Sequence, residues 1–131
     1  MASCEREHLT VTLTAVVVDD HPGFRAMARQ MLEDAGFEVV GEAADGAGAR
    51  DLVALLRPRL LLLDVQLPDI DGFDVARDLA RTAPGTVVVL TSARNADDFG
   101  KHRVATCGAG GFIAKADLSG AAVSAVLEGS A

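Results

Sequence analysis

The chain has 131 residues, of which 50% are hydrophobic, and a formal net charge of −7. Length and composition suit one globular domain with a sizeable core and argue against disorder. No apolar run approaches the ~20 residues that span a bilayer, and the acidic balance disfavours direct nucleic-acid binding, which calls for a basic patch.

Met1 to Thr10 is a polar tail of mixed charge, without the apolar segment of a signal peptide. Residues 11–131 are assigned to one domain. The two cysteines, Cys4 and Cys107, have no metal-ligand spacing and read as reduced thiols in a cytoplasmic protein. The first buried strand is predicted over Thr14 to Asp19, where Ala15-Val16-Val17-Val18 runs into Asp19-Asp20. Pro22 suits the first turn of a helix, because its missing N–H needs no partner there. Phe24, Met27, Ala28, Met31, Leu32 and Ala35 then recur at helical spacing as one core-facing stripe, and Gly36 stops the helix.

Phe37 to Val40 reads as a shorter, more exposed second strand. A second helix carries Ala49, Leu52, Val53 and Leu56 and stops at Arg57-Pro58. Leu60 to Leu63 is apolar at every position, the mark of a strand covered on both faces. It ends on Asp64, with Pro68 and Gly72 turning the loop beyond. A third helix runs from about Phe73 to Thr82, and Thr86 to Leu90 is a fourth strand ending in Thr91-Ser92. Asn95 to Cys107 is a weak helix with a thin apolar face, weakened further by Gly100. A fifth strand, Phe112 to Ala114, ends on Lys115, and Asp117 is the predicted cap of a last helix from Leu118 to about Glu128. Five such βα units imply a flavodoxin-like (βα)5 doubly wound parallel sheet of order 2-1-3-4-5.

In that order the first and third strands lie side by side beneath a crevice, so Asp19, Asp20 and Asp64 converge. Two unit charges about 4 Å apart repel by roughly 4 kcal/mol at an effective dielectric of 20. Three carboxylates in one pocket therefore call for a cation, and oxygen-only ligands favour Mg²⁺. Thr91 adds a hydroxyl and Lys115 a mobile positive charge. Together they suit a carboxylate, Asp64, that accepts a phosphoryl group while the cation, Lys115 and Thr91 stabilise its oxygens.

The runs Val-Val-Val-Asp19-Asp20-His21-Pro22, Leu-Leu-Asp64-Val65-Gln66-Leu67-Pro68 with Gly72, Val-Leu-Thr91-Ser92-Ala93 and Gly-Phe112-Ile113-Ala114-Lys115 resemble the receiver domain of bacterial two-component response regulators. The Asp-Asp-His-Pro start and the Gly41–Gly46 stretch resemble the subgroup that usually carries a LuxR-type helix-turn-helix output domain. The likeness covers about residues 14–128. It implies a signalling domain rather than a metabolic enzyme, with Asp64 as phosphoacceptor for a sensor histidine kinase or phosphotransfer protein. It implies Mg²⁺ bound by Asp20, Asp64 and the backbone carbonyl of Gln66, with Asp19 acting mainly through water. Thr91 and Lys115 are implied to contact the phosphoryl group, with Thr91 and Phe112 as switch residues. Phe112 lacks the hydroxyl of the Tyr often found there, and Ala116 stands where many receivers have Pro.

Other residues read more plainly. His21 is structural, at a helix start. His8 and His102 are surface residues, and Asp69 and Asp71 are solvated. Gly46-Ala47-Gly48 lacks the Gly-Lys-Ser/Thr ending of a phosphate loop. The end of the chain soon after the last helix suggests a stand-alone receiver, whose readout is a downstream protein partner or self-association, with no membrane and no nucleic acid contacted through this domain. The alternatives are a docking module that works without phosphorylation, the N-terminal fragment of a DNA-binding regulator, and a flavodoxin-like cofactor binder.

Overall fold

The apolar runs become five parallel strands in a computed structural model that describes residues 13–129. They are β1 (Leu13–Val18), β2 (Phe37–Ala43), β3 (Leu60–Asp64), β4 (Val87–Ser92) and β5 (Gly111–Ala114). The sheet order is β2-β1-β3-β4-β5, as the pattern of runs predicts. The helices are α1 (Pro22–Asp34), α2 (Gly46–Leu56), α3 (Gly72–Thr82), α4 (Lys101–Thr106) and α5 (Gly120–Gly129). None of them is long and apolar enough to cross a membrane. The tail assigned to residues 1–10, with Cys4 and His8, lies outside the described residues.

Side-chain alternation splits each apolar strand between two cores. Val16, Val18, Leu61, Leu63, Val88 and Leu90 face α2 and α3, where they meet Ala49, Val53, Phe73, Ala76 and Leu79. Ala15, Val17, Leu60, Leu62 and Val89 face α1 and α5, where they meet Ala28, Leu32, Val123 and Leu127. Every residue of β3 and β4 is buried. Burial of this kind stabilises by about 25 cal/mol per Å² of apolar surface, which makes the central strands the rigid frame of the site.

Four details differ from the sequence expectations. First, β2 runs on through Gly41 and Glu42 to Ala43, because an edge strand pairs by its backbone and its register with β1 slips at Ala15/Val16. Second, Met27 is 48% exposed rather than core. Ala28 and Leu32 define the buried line of α1, and Met27 stands about 100° round the helix from Ala28. Third, the weak fourth helix is two pieces, a 3-10 turn (Ala96–Phe99) and the short α4, divided at Gly100 with φ 87°. Fourth, Asp117 closes a 3-10 turn (Lys115–Asp117) instead of capping α5. The hydroxyl of Ser119 accepts from the Ala122 N–H at 3.0 Å, and the helix starts at Gly120. No peptide bond among the described residues is cis, the Lys115–Ala116 bond included.

Candidate functional site

Strand register assembles the site. Val18 pairs with Leu63, so Asp19 leaves β1 level with the end of β3. Asp64 pairs with Thr91, and Ser92 pairs with Ala114, which puts Lys115 one residue past the last paired rung. The Val65 N–H donates to the Thr91 carbonyl at 3.0 Å and the Asp19 N–H to the Ala43 carbonyl at 3.1 Å, holding the strand ends against each other. Asp19, Asp64, Thr91 and Ser92 are all buried at this rim.

The carboxylates meet as the strand order requires. Ligand atoms of Asp19, Asp20, His21 and Asp64 all lie within 4.8 Å of one another. Lys115 Nζ stands 2.7 Å from Asp19 Oδ2 and 3.6 Å from Asp64 Oδ2. The positive charge that three clustered acids demand is thus partly supplied by the chain itself. Burial pushes the Asp64 carboxyl up to about 6, with the Gln66 N–H opposing and the neighbouring charge of Asp19 adding to the rise. Burial also raises Asp19, but the Lys115 ammonium and the His21 N–H outweigh it and leave that carboxyl below the ordinary value. Thr91 Oγ1 is buried with no hydrogen-bond partner among the described residues. An orphaned buried hydroxyl is costly, and this one belongs to the strand residue paired with Asp64. The acid cluster offers hard oxygen donors that fit a divalent cation.

His21 is more involved than a helix-start residue. Its backbone N–H donates to Asp19 Oδ1 at 2.8 Å, and its exposed ring puts Nδ1 at 3.1 Å from Asp19 Oδ1 and 3.0 Å from Asp20 Oδ1. Phe112 is half-buried and packs its ring against Phe99, with centroids 5.9 Å apart.

The loop after Asp64 is tied on both sides by residues that the sequence reading leaves solvated. Asp69 accepts from the Gly46 N–H at 2.8 Å and the Ala47 N–H at 3.0 Å, so a carboxylate fills the start of α2, and these N–H groups hold Asp69 below its ordinary range. Asp71 caps α3 through the Phe73 N–H at 2.8 Å and pairs with Arg103 of α4. Gly72 is required where it stands, since a Cβ there would lie 2.4 Å from the Asp64 carbonyl oxygen. In the first turn of α1, sequence reasoning passes over Arg25 and reads Phe24 only as core. Arg25 donates to the Asp19 carbonyl at 2.6 Å, and the Phe24 ring centroid lies 4.2 Å from Lys115 Nζ. Only the aromatic and basic neighbours of the Asp-Asp pair could have drawn attention to them.

Residues 15–124 match the response regulator receiver domain. The chain belongs to that family. It is similar to the DNA-binding transcriptional activator EvgA of Escherichia coli K12, with 32% identity over 103 residues, covering 79% of this chain and 50% of EvgA. It is similar to the transcriptional regulatory protein DegU of Brevibacillus brevis, with 33% identity over 120 residues, 88% of this chain and 50% of that protein. This receiver therefore spans about half the length of those curated relatives. Among solved structures, the signal receiver domain of NarL from Mycobacterium tuberculosis superposes with a TM-score of 0.80 at 36% identity, covering 91% of this chain and 96% of that one. Chemotaxis response regulator CheY4 of Vibrio cholerae shares the fold, with a TM-score of 0.77 at 24% identity over 92% of this chain and 100% of its own. EvgA and NarL are LuxR-family response regulators, and the receiver is a signalling domain of two-component systems.

Proposed function

We propose that this receiver is a phosphorylatable switch whose phosphoacceptor is Asp64. One observation carries the reading: Asp19, Asp20 and Asp64 converge at one rim of the sheet with the Lys115 ammonium against them. The donor is the phosphohistidine of a sensor histidine kinase or phosphotransfer protein. An Asp64 oxygen attacks phosphorus, the P–N bond breaks, and its electron pair returns to the imidazole. Asp20, Asp64 and the backbone carbonyl of Gln66 would hold Mg²⁺, with Asp19 contributing mainly through water. The bound ion supplies positive charge against the carboxylates and the incoming phosphoryl oxygens.

The chain's own residues do the rest. Lys115 shifts its ammonium from the carboxylates toward a phosphoryl oxygen. The unpartnered hydroxyl of Thr91 donates to another. That pull turns the Thr91 side chain toward the new oxygens and frees volume that Phe112, the second switch residue, fills by ring burial alone. The altered face is read by a downstream protein partner or a second copy.

Incubation with a small phosphodonor and Mg²⁺ should add one phosphoryl group by intact mass. Asp64→Asn should add none, and chelation of the metal should abolish the gain. A wild-type chain that gains nothing under these conditions refutes the reading. A second reading is favoured by the twofold length of the relatives: the receiver works as the N-terminal half of a DNA-binding regulator. Sequencing the gene beyond the codon for Ala131 tests it, and a stop codon there would rule it out.

A further inference from the structure

Among the described residues, the ammonium of Lys115 has three charged or aromatic neighbours. Two are the carboxylates of Asp19 and Asp64, at 2.7 and 3.6 Å. The third is the Phe24 ring, 4.2 Å from Nζ to the centroid. An ammonium over an aromatic face is attracted by the ring's quadrupole, more strongly where water is thin, and the Lys115 side chain is only 20% exposed. Phe24 reaches this position from the first turn of α1, two residues after Pro22, and shares the apolar layer between α1 and α5. Its neighbour Arg25 clasps the Asp19 carbonyl from the same turn.

We propose that Phe24 is a positioning residue for phosphoryl transfer. Its ring keeps the Lys115 ammonium at the mouth of the site, partly stripped of water and free to turn toward the phosphoryl oxygens. The inference rests on the reading of Asp64 and Lys115 given above. A carboxylate in place of Phe24 would anchor the ammonium and compete with the transferring group. Solvent in its place would hydrate the ammonium and let the flexible stem swing out. An aromatic face avoids both, since it attracts the charge without accepting a directed hydrogen bond.

The experiment separates the ring's electronic face from its bulk. Phe24→Leu keeps apolar volume for the α1–α5 layer and removes the face, and Phe24→Trp offers a stronger one. The expected result is a phosphorylation rate constant, measured with a small phosphodonor at saturating Mg²⁺, lowered roughly three- to tenfold in Phe24→Leu and restored within about twofold in Phe24→Trp. The Mg²⁺ concentration for half-maximal rate should stay within about twofold in both, because the ring acts through Lys115 and offers the ion no oxygen or nitrogen donor. The Lys115 ε-methylene protons should lie upfield in the wild type through the ring current and return to ordinary values in Phe24→Leu. Equal rates in all three proteins, or equal losses in both variants, overturn the positioning role while leaving the phosphoacceptor reading in place. A wild type that takes no phosphoryl group overturns both.

Discussion

Asp64 sits ionised at neutral pH at the expense of the fold that holds it. Its carboxyl is raised to about 6 from an ordinary 3.8, first by burial. Between those two values the native protein holds a proton that the unfolded chain has released, so stability falls as pH climbs through that window and stays lowered above it. Asp64→Asn removes the penalty. The metal-free variant is expected to exceed the wild type by about 2 kcal/mol at pH 8, with the gap closing toward pH 4. Urea unfolding with a chelator at both pH values checks this, and a gap independent of pH would count against it. Asp19 acts with the opposite sign. Its carboxyl is held below 3.8 despite burial, chiefly by Lys115, so its contribution is present above that value and fades as pH drops through the lower, folded-state one.

At the scale of elements, the segment from Ala96 to Thr106 is the least anchored. It is split at Gly100, and its short helix buries little. Its ties include the Phe99 ring against Phe73 and Phe112, Arg103 against Asp71 and the Phe73 face, and Val104 against the core. Backbone amides of α4 are expected to exchange with deuterium well before those of α1, and equal protection would refute that order. Gly100 also reverses an expectation. Read as a flaw in one continuous helix, it invites Gly100→Ala as a stabilising change. At φ 87° the same substitution forces a side chain into left-handed backbone and should cost about 1 kcal/mol in a thermal or urea melt.

The continuous runs Val16–Val18, Leu60–Leu63 and Val87–Leu90 announced buried parallel strands, and the acids at their ends announced the site. That much is local information, written in consecutive residues. The ties that are not legible connect residues far apart in the chain. Asp69 reaches back to Gly46, Asp71 forward to Arg103, and Phe24 across to Lys115. A loop aspartate looks alike in sequence whether water or a helix start receives it. The end of β2 and the start of α5 differ from the sequence expectation for a related reason, since sheet pairing and the Ser119 cap outweigh local propensity there.

For the molecule as a whole, the proposed Mg²⁺ site would make stability a function of the divalent ion. Mg²⁺ at about a hundred times its Kd should raise unfolding free energy by about 2.7 kcal/mol if it binds only the folded state. The proton on Asp64 must leave first, so apparent affinity should climb from pH 5 to pH 7 and level off above. Urea unfolding with and without Mg²⁺ reads the first effect and titration calorimetry across that pH range the second, and an affinity flat with pH would contradict the site.

The ammonium seated on Asp19 has one more consequence. On the proposed site, a metal arriving at Asp20 and Asp64 would meet a cation already tethered at Asp19 and would have to settle beside its charge. On that reading the ammonium would stand in for part of the ion's charge when the ion is scarce and oppose it electrostatically when it comes. Lys115→Met should then hold Mg²⁺ more tightly than the wild type in calorimetric titration while unfolding more readily without it, and a weaker grip on the ion would show that the seat was never contested.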